Sequence, residues 1–325
     1  MKYFITGATG FIGGRVAKQL IHAGHQVVAL ARDTSRLPNP TTTEIQWLPG
    51  DIRDKESLRG AMKGVDGVFH IAAWYKVGVR DKSPAYDINV LGTKNVLEVM
   101  AELGIRKGVY TSTLAVNSDT RGRLVDESYR YDGEHLSEYN RTKWLAHYDV
   151  AEKYIEEGLP LVIVMPGLVY GPGDKSSVAV TLHQYLTEKL LLLPKRTAFC
   201  WAHVDDTAQG HLLAMERGRI GESYIIAGPV HTLIEALLLA EQITGIGLPL
   251  LRVPPGILKG SAKLVKALEK VLPVPALYSS ETLRVAAGVT YFGDNSKARR
   301  ELDFQARTLK EGLTETLLWM RKNPI

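Results

Sequence analysis

Tyr139 and Lys143 stand four residues apart, so a helix would present both on one face. A lysine one turn from a tyrosine can stabilise phenolate and bring the phenol's pKa toward the working range. That pairing suits proton transfer to or from a carbonyl oxygen. A further group must hold the oxygen, and the run Thr111-Ser112-Thr113 supplies hydroxyls, of which Thr113 or Ser112 is the candidate. The Lys143 ammonium would also reach the ribose hydroxyls of a bound dinucleotide. A Tyr-x3-Lys spacing by itself is common, so its meaning depends on what the chain builds around it.

The N-terminal stretch KYFITGATGFIGG, residues 2–14, supplies the first support. An apolar run, Tyr3-Phe4-Ile5, leads into a glycine turn, and a helical pattern follows through Val16 and Leu20. Strand, turn and helix in this order form a dinucleotide pyrophosphate site. Gly7 allows the tight turn, Gly10 the close approach of backbone to phosphate, and Gly13 the packing of helix on strand. Thr9, Phe11 and Ile12 complete this cofactor-binding stretch. A second strand, residues 25–30, ends at Ala31-Arg32 with Arg36 nearby. An acid at that tip would accept from the adenosine ribose, whereas Arg pairs with a 2′-phosphate. The expectation is NADP(H), with NAD(H) kept open by Asp33. Residues 38–44 read as a polar loop. The third strand, residues 45–48, ends at Asp51-Ile52, where Asp51 would bond the adenine amino group or cap a turn.

The fourth strand, residues 65–71, runs into Ala72-Ala73, small enough for the backbone to approach a cofactor. His70 within it reads as a core histidine. Trp74 and Tyr75 follow at the carboxyl end, where open α/β sheets take ligands. The segment 117–137 is too long for a simple connection and reads as a functional loop. Alternating strands and helices predict an α/β chain with a Rossmann-type doubly wound parallel sheet. The expected division is a dinucleotide-binding domain over residues 1–165, with 199–228 returning to it. Residues 166–198 and 229–325 would form a smaller, mostly helical substrate domain. Within that domain Lys259, Lys263, Lys266 and Lys270 fall at helical spacing beside an apolar face, which suits either a solvated helix or contact with a membrane surface over 255–272.

Composition narrows the classes. The 325 residues are 45% hydrophobic and 23% charged, with a formal net charge of +5, ordinary for a globular protein. No dense basic run with interleaved aromatics points to nucleic acid. The single Cys200 excludes an intrachain disulfide framework and a cysteine metal site, and no metal is expected. There is no signal-peptide pattern and no apolar stretch of membrane-spanning length, so a cytoplasmic protein is expected.

Together the motifs resemble the extended branch of the short-chain dehydrogenase/reductase superfamily, and within it the dihydroflavonol-4-reductase-like group with its epimerase/dehydratase relatives. The likeness is carried by TGATGFIG at 6–13, GDIRD at 50–54, HIAA at 70–73, NVLGT at 89–93, YTSTLAV at 110–116, YNRTK at 139–143, PGLVYGPGD at 166–174 and HVDDTA at 203–208. It implies Thr113 as catalytic hydroxyl, Tyr139 as acid/base and Lys143 as its partner. Asn89 joins that set, and Pro166 and Val169 join the cofactor contacts. Two positions depart from the pattern. Met165 replaces an Arg common before the Pro-Gly, and Phe199 stands where sugar-nucleotide enzymes of the branch carry an Arg that grips a diphosphate. Phe199, with Trp74, Tyr75, Tyr170 and Trp201 as substrate contacts, points to a moderately apolar substrate. The reading is an NADP(H)-dependent ketone reductase or alcohol dehydrogenase. The alternatives are an epimerase or dehydratase with tightly bound NAD acting on a sugar-like substrate, and a non-catalytic dinucleotide sensor. A homodimer through the helices 87–103 and 139–154 is expected.

Overall fold

The computed structural model describes residues 1–35, 37, 45–269 and 271–323. Arg36, the loop 38–44 and Lys270 lie outside the described residues. The strands are β1 Lys2–Thr6, β2 Gln26–Ala31, β3 Ile45–Pro49, β4 Gly67–His70, β5 Gly108–Thr111, β6 Leu161–Pro166, β7 Leu168–Tyr170, β8 Leu192–Pro194, β9 Ala198–His203, β10 Ser223–Ile226, β11 Val230–Thr232, β12 Leu251–Val253 and β13 Thr290–Tyr291.

Seven of them form one parallel sheet in the order β10-β6-β5-β4-β1-β2-β3. The order reverses between β1 and β4, the switch point at which such sheets open a ligand crevice. The inner strands are buried along nearly their whole length because both faces are covered. Alternate residues feed opposite layers. Phe4 and Val28 enter one apolar cluster, Ile5 and Val27 the other.

The smaller lobe is built on β7, β9, β11 and β13, with a separate parallel pair of β8 and β12. β9 pairs within this lobe, not with the large sheet. Of the stretch 199–228, the helix Val204–Arg217 and β10 join the large layer, whereas residues 199–203 pair their backbone in the smaller lobe while Cys200 packs into the large core. The helix Ser177–Leu186 gives way to β8, and the lobe, expected to be mostly helical, holds more strand than its sequence suggests. Its own core gathers Tyr170, Leu182, Trp201, Leu237 and Leu313.

Tyr170 and Trp201 correct an expectation. Each is 1% exposed. Their rings meet edge to face at 5.5 Å, and the Trp201 indole N–H donates to the His231 carbonyl at 3.0 Å. They hold the lobe together from inside and do not face a cleft. Trp74 is likewise buried, while Tyr75 is exposed.

Candidate active site

Gly7 has φ +78°, and a Cβ there would stand 2.7 Å from the Ala72 amide nitrogen; a Cβ on Gly13 would stand 2.2 Å from the Gly7 carbonyl oxygen. These are the turn and the close helix–strand contact that the motif requires. The helix Phe11–His22 opens at Gly10 with no side-chain cap and no acid in its first turn. The helices beginning after Asp54, Ser137, Ser176, Thr232, Ser279 and Thr308 all have side-chain caps. Free N–H groups at an uncapped end beside exposed Thr9 and Gly10 fit a pyrophosphate.

The rim behind it is less committed. Arg32 is exposed at the end of β2. Asp33 is turned to Ser35, accepting from its amide at 3.0 Å. The Asp51 carboxylate is held by Arg53 through Nε at 3.1 Å and a guanidinium nitrogen at 2.8 Å, which keeps its pKa low. Ile52 is buried against Gly92, and Asn95 donates to its carbonyl at 3.0 Å. Ala72, Ala73 and Val169 are partly buried, and Pro166 ends β6.

Tyr139 lies one residue inside a helix capped by Ser137. It is partly exposed. Burial pushes its hydroxyl pKa up, and a hydrogen bond with Thr113 pulls it back. The Thr113 hydroxyl also accepts from the Ala115 amide at 3.1 Å, which fixes its direction. Lys143 is 2% exposed. Its ammonium donates to the Tyr110 hydroxyl at 2.9 Å and the Thr111 carbonyl at 2.8 Å, and burial lowers its pKa to about 7. Both of these Lys143 bonds go to β5 residues and not to Tyr139. The ammonium is turned to β5, and burial disfavours both charged forms.

Beneath the pair runs a fully satisfied polar network. Thr6 Oγ1 accepts from the Ile71 and Ala72 amides, each at 3.1 Å, so its proton goes to His70 Nδ1 at 2.8 Å. His70 then carries hydrogen on Nε2 and donates to Thr93 Oγ1 at 3.0 Å; Thr93 donates to the Asn89 carbonyl at 2.6 Å. Tyr110 hydrogen-bonds Thr93 and stacks on His70 at 5.5 Å. Burial, then the nearby Lys143 charge, lowers the His70 pKa to about 3, so it stays neutral.

Two members of the expected catalytic set are elsewhere. Ser112 hydrogen-bonds His147 Nδ1 at 2.7 Å, two helical turns beyond Tyr139, which leaves Thr113 as the hydroxyl at the site. Asn89 sits in a stretch of wide π turns, Asp87–Leu91. Its amide accepts from the Trp74 N–H at 2.7 Å and donates to the Trp74 carbonyl and Thr142 Oγ1, both at 2.9 Å. Both amide hydrogens are thus used in tying the loop after β4 to the Tyr139 helix, and Asn89 has no donor left for substrate.

Three contributors escaped sequence reasoning. Tyr110 holds Lys143. Tyr291 stacks flat on Phe199, 5.7 Å between centroids, and hydrogen-bonds Asn140, next to Tyr139. Glu281, 3% exposed, accepts from the Gly78 amide at 2.7 Å and the Glu138 amide at 2.6 Å, and pairs with Lys82 at 3.1 Å. Among the described residues, His203, Asp205 and Glu315 bring metal-capable atoms within 4.8 Å of one another. Arg307 pairs with Glu315 at 2.7 Å and Arg15 lies 3.4 Å from Asp205, so the acids are already compensated and we assign no metal there.

Comparison with known proteins places the chain among relatives. Residues 3–227 match the model of the NAD dependent epimerase/dehydratase family. A Synechocystis sp. protein named as a dihydroflavonol 4-reductase is 32% identical over 99% of this chain and 95% of its own. Sterol demethylase protein B of Methylococcus capsulatus is 29% identical over 99% of each. The crystal structure of gox2253 superposes with a TM-score of 0.87 at 30% identity, covering 99% of this chain and 98% of that one.

Proposed function

For a chain that belongs to the NAD dependent epimerase/dehydratase family, an enzyme of the extended short-chain dehydrogenase/reductase type that uses a nicotinamide dinucleotide, we propose reduction of a ketone on a moderately apolar small molecule with NADP(H). The observation that carries the reading is the Phe199–Tyr291 stack beside Tyr139. A guanidinium at position 199 would grip a diphosphate; a flat aromatic pair suits an apolar body. The sterol in the name of the Methylococcus capsulatus relative supports the same substrate class.

In this reading the cofactor supplies or accepts hydride, and the protein handles the proton. Thr113 hydrogen-bonds the substrate oxygen. Tyr139, held in its neutral phenol form by burial, donates the proton to that oxygen. Lys143 offers its ammonium to the cofactor ribose while Tyr110 and Thr111 fix its position. Gly7, Gly10, Gly13 and the helix N-terminus hold the pyrophosphate, and Arg32 holds the 2′-phosphate.

The test is NADPH oxidation against a panel of apolar ketones, paired with dinucleotide titrations. Saturable turnover is expected with NADPH. Arg32→Ala should weaken NADPH by about tenfold, the scale of one charge-assisted contact, and leave NADH nearly unchanged. Equal losses would remove Arg32 from the 2′-phosphate. NAD that resists dialysis, with no net NADPH consumption, would favour the epimerase/dehydratase reading that the family description also covers.

A further inference from the structure

The smaller lobe carries an uncovered apolar surface with an unusual charge. The helix Pro255–Leu268 buries Leu258 and Ala262 and packs on the helix Ser280–Ala286. A different stripe of it, Ile257, Leu264 and Leu268, is exposed, with Leu264 at 65%. At its N-terminal side β8 and β12 place Leu192 against Leu251, flanked by Leu191 at 78% and Leu250 at 98% exposure. Contiguous exposed apolar surface marks an interaction site.

Charge says which kind. Residues 186–196 and 250–272 carry eight Lys and Arg against two Glu. The rest of the chain carries 32 Lys and Arg against 33 Asp and Glu. The whole positive excess of the protein therefore sits on this lobe. One of the two acids, Glu269, is turned inward, accepting from the Ser280 amide at 2.8 Å and its hydroxyl at 2.7 Å. Lys259, Lys263 and Lys266 are exposed, and none is ion-paired with a described residue.

We propose that this face docks on an anionic lipid bilayer. Leucines at the tip of β8–β12 and along the helix enter the interface, and the lysines and arginines around them meet lipid phosphates. A second copy of the chain is a poor occupant, because two such faces repel. No helix among the described residues is long and apolar enough to cross a membrane, so the contact is peripheral. The helix Ser280–Ala286 beneath carries Glu281, which bonds the Glu138 amide next to Tyr139. If the ketone reading above holds, the lobe on the bilayer is the one bordering the active site, and the substrate class is one that partitions into lipid.

The experiment is flotation of the full-length protein with vesicles of phosphatidylcholine alone or with about 30% phosphatidylglycerol. Binding is expected on the anionic vesicles, at least about tenfold tighter than on the neutral ones, and weakened by salt. The triple variant Lys259→Glu, Lys263→Glu, Lys266→Glu should reduce it on the order of a hundredfold. Ile257→Asp with Leu264→Asp should abolish it while dinucleotide binding and the circular dichroism spectrum stay as in the parent. Equal binding to both vesicle types, or no binding, overturns the proposal. So does a dimer in sedimentation velocity that Leu264→Asp dissociates, which would give the face to a second copy. None of these readouts needs turnover, so their failure is separate from failure of the reductase reading.

Discussion

Lys143 and Lys263 show one residue type in two settings. Lys143 is 2% exposed, bonded to Tyr110 and Thr111, and lowered to a pKa of about 7. Lys263 stands exposed on the helix Pro255–Leu268. Around the first, the buried groups Thr6, His70, Asn89, Thr93 and Tyr110 are paired within the protein. Around the second, leucines and cations are left to the surroundings. A buried network can tune the protonation of its members because desolvation is large and partners are fixed. An exposed one cannot, and contributes attraction and apolar area instead. In the readings proposed above, chemistry belongs to the edge of the large sheet, and surface recognition to the smaller lobe.

The contrast can be broken most sharply at Tyr139. Tyr139→Phe should lower kcat by about two orders of magnitude or more, the scale of a lost general acid, with dinucleotide affinity retained in a binding titration. Near-parental turnover would take the chemistry away from the sheet edge. Next in size is Trp201→Ala, which opens a cavity in the smaller lobe and should cost about 3–5 kcal/mol in denaturant unfolding. A changed substrate preference in a protein of unchanged stability would return Trp201 to the cleft.

Acid sensitivity sharpens the comparison further. An unfolded histidine takes a proton below about pH 6.5. Buried His70 and His211 do so only near about 3 and about 4. The unfolded state therefore binds more protons in that window. The stability these histidines contribute is present above pH 6.5 and is lost as pH falls toward their folded values, by up to about 1.4 kcal/mol per unit for each. Thermal melts between pH 7.5 and 5 should show a falling midpoint, and a flat or rising one would put charge on these rings in the folded state. The smallest effect is expected from Tyr110→Phe. Losing one hydrogen bond is worth about 1 kcal/mol, so kcat should fall by severalfold. The limb of the kcat–pH profile near neutrality should also move to lower pH, because Lys143 loses an acceptor that favours its ammonium. An unmoved limb would uncouple Tyr110 from Lys143.

Much of the sheet edge is written locally in the chain. Gly7 and Gly13 are legible because a positive φ and a close helix contact admit glycine alone at those points. Tyr139 and Lys143 are legible because helical spacing fixes their shared face. The choice between Ser112 and Thr113 is not local: it depends on His147 lying under Ser112. Asn89 was found by its motif but its task was not, because Trp74 and Thr142 meet it only in the fold. Tyr170 and Trp201 misled for a related reason. An aromatic in a short strand looks the same whether it faces a cleft or a core, and the lobe that covers them is assembled from segments between residues 168 and 320. Tyr291 and Glu281 reach the site from more than a hundred residues away, beyond the range of any spacing rule.

Glu281 has a dynamic consequence. One carboxylate on the smaller lobe receives the loop amide of Gly78, the Lys82 ammonium and the first amide of the Tyr139 helix. Separating the lobe from the large sheet would break all of these together and exchange them for water. The helix that presents Tyr139 thus has two anchors of different range: Ser137 caps it from within, and Glu281 holds its first amide from the other lobe.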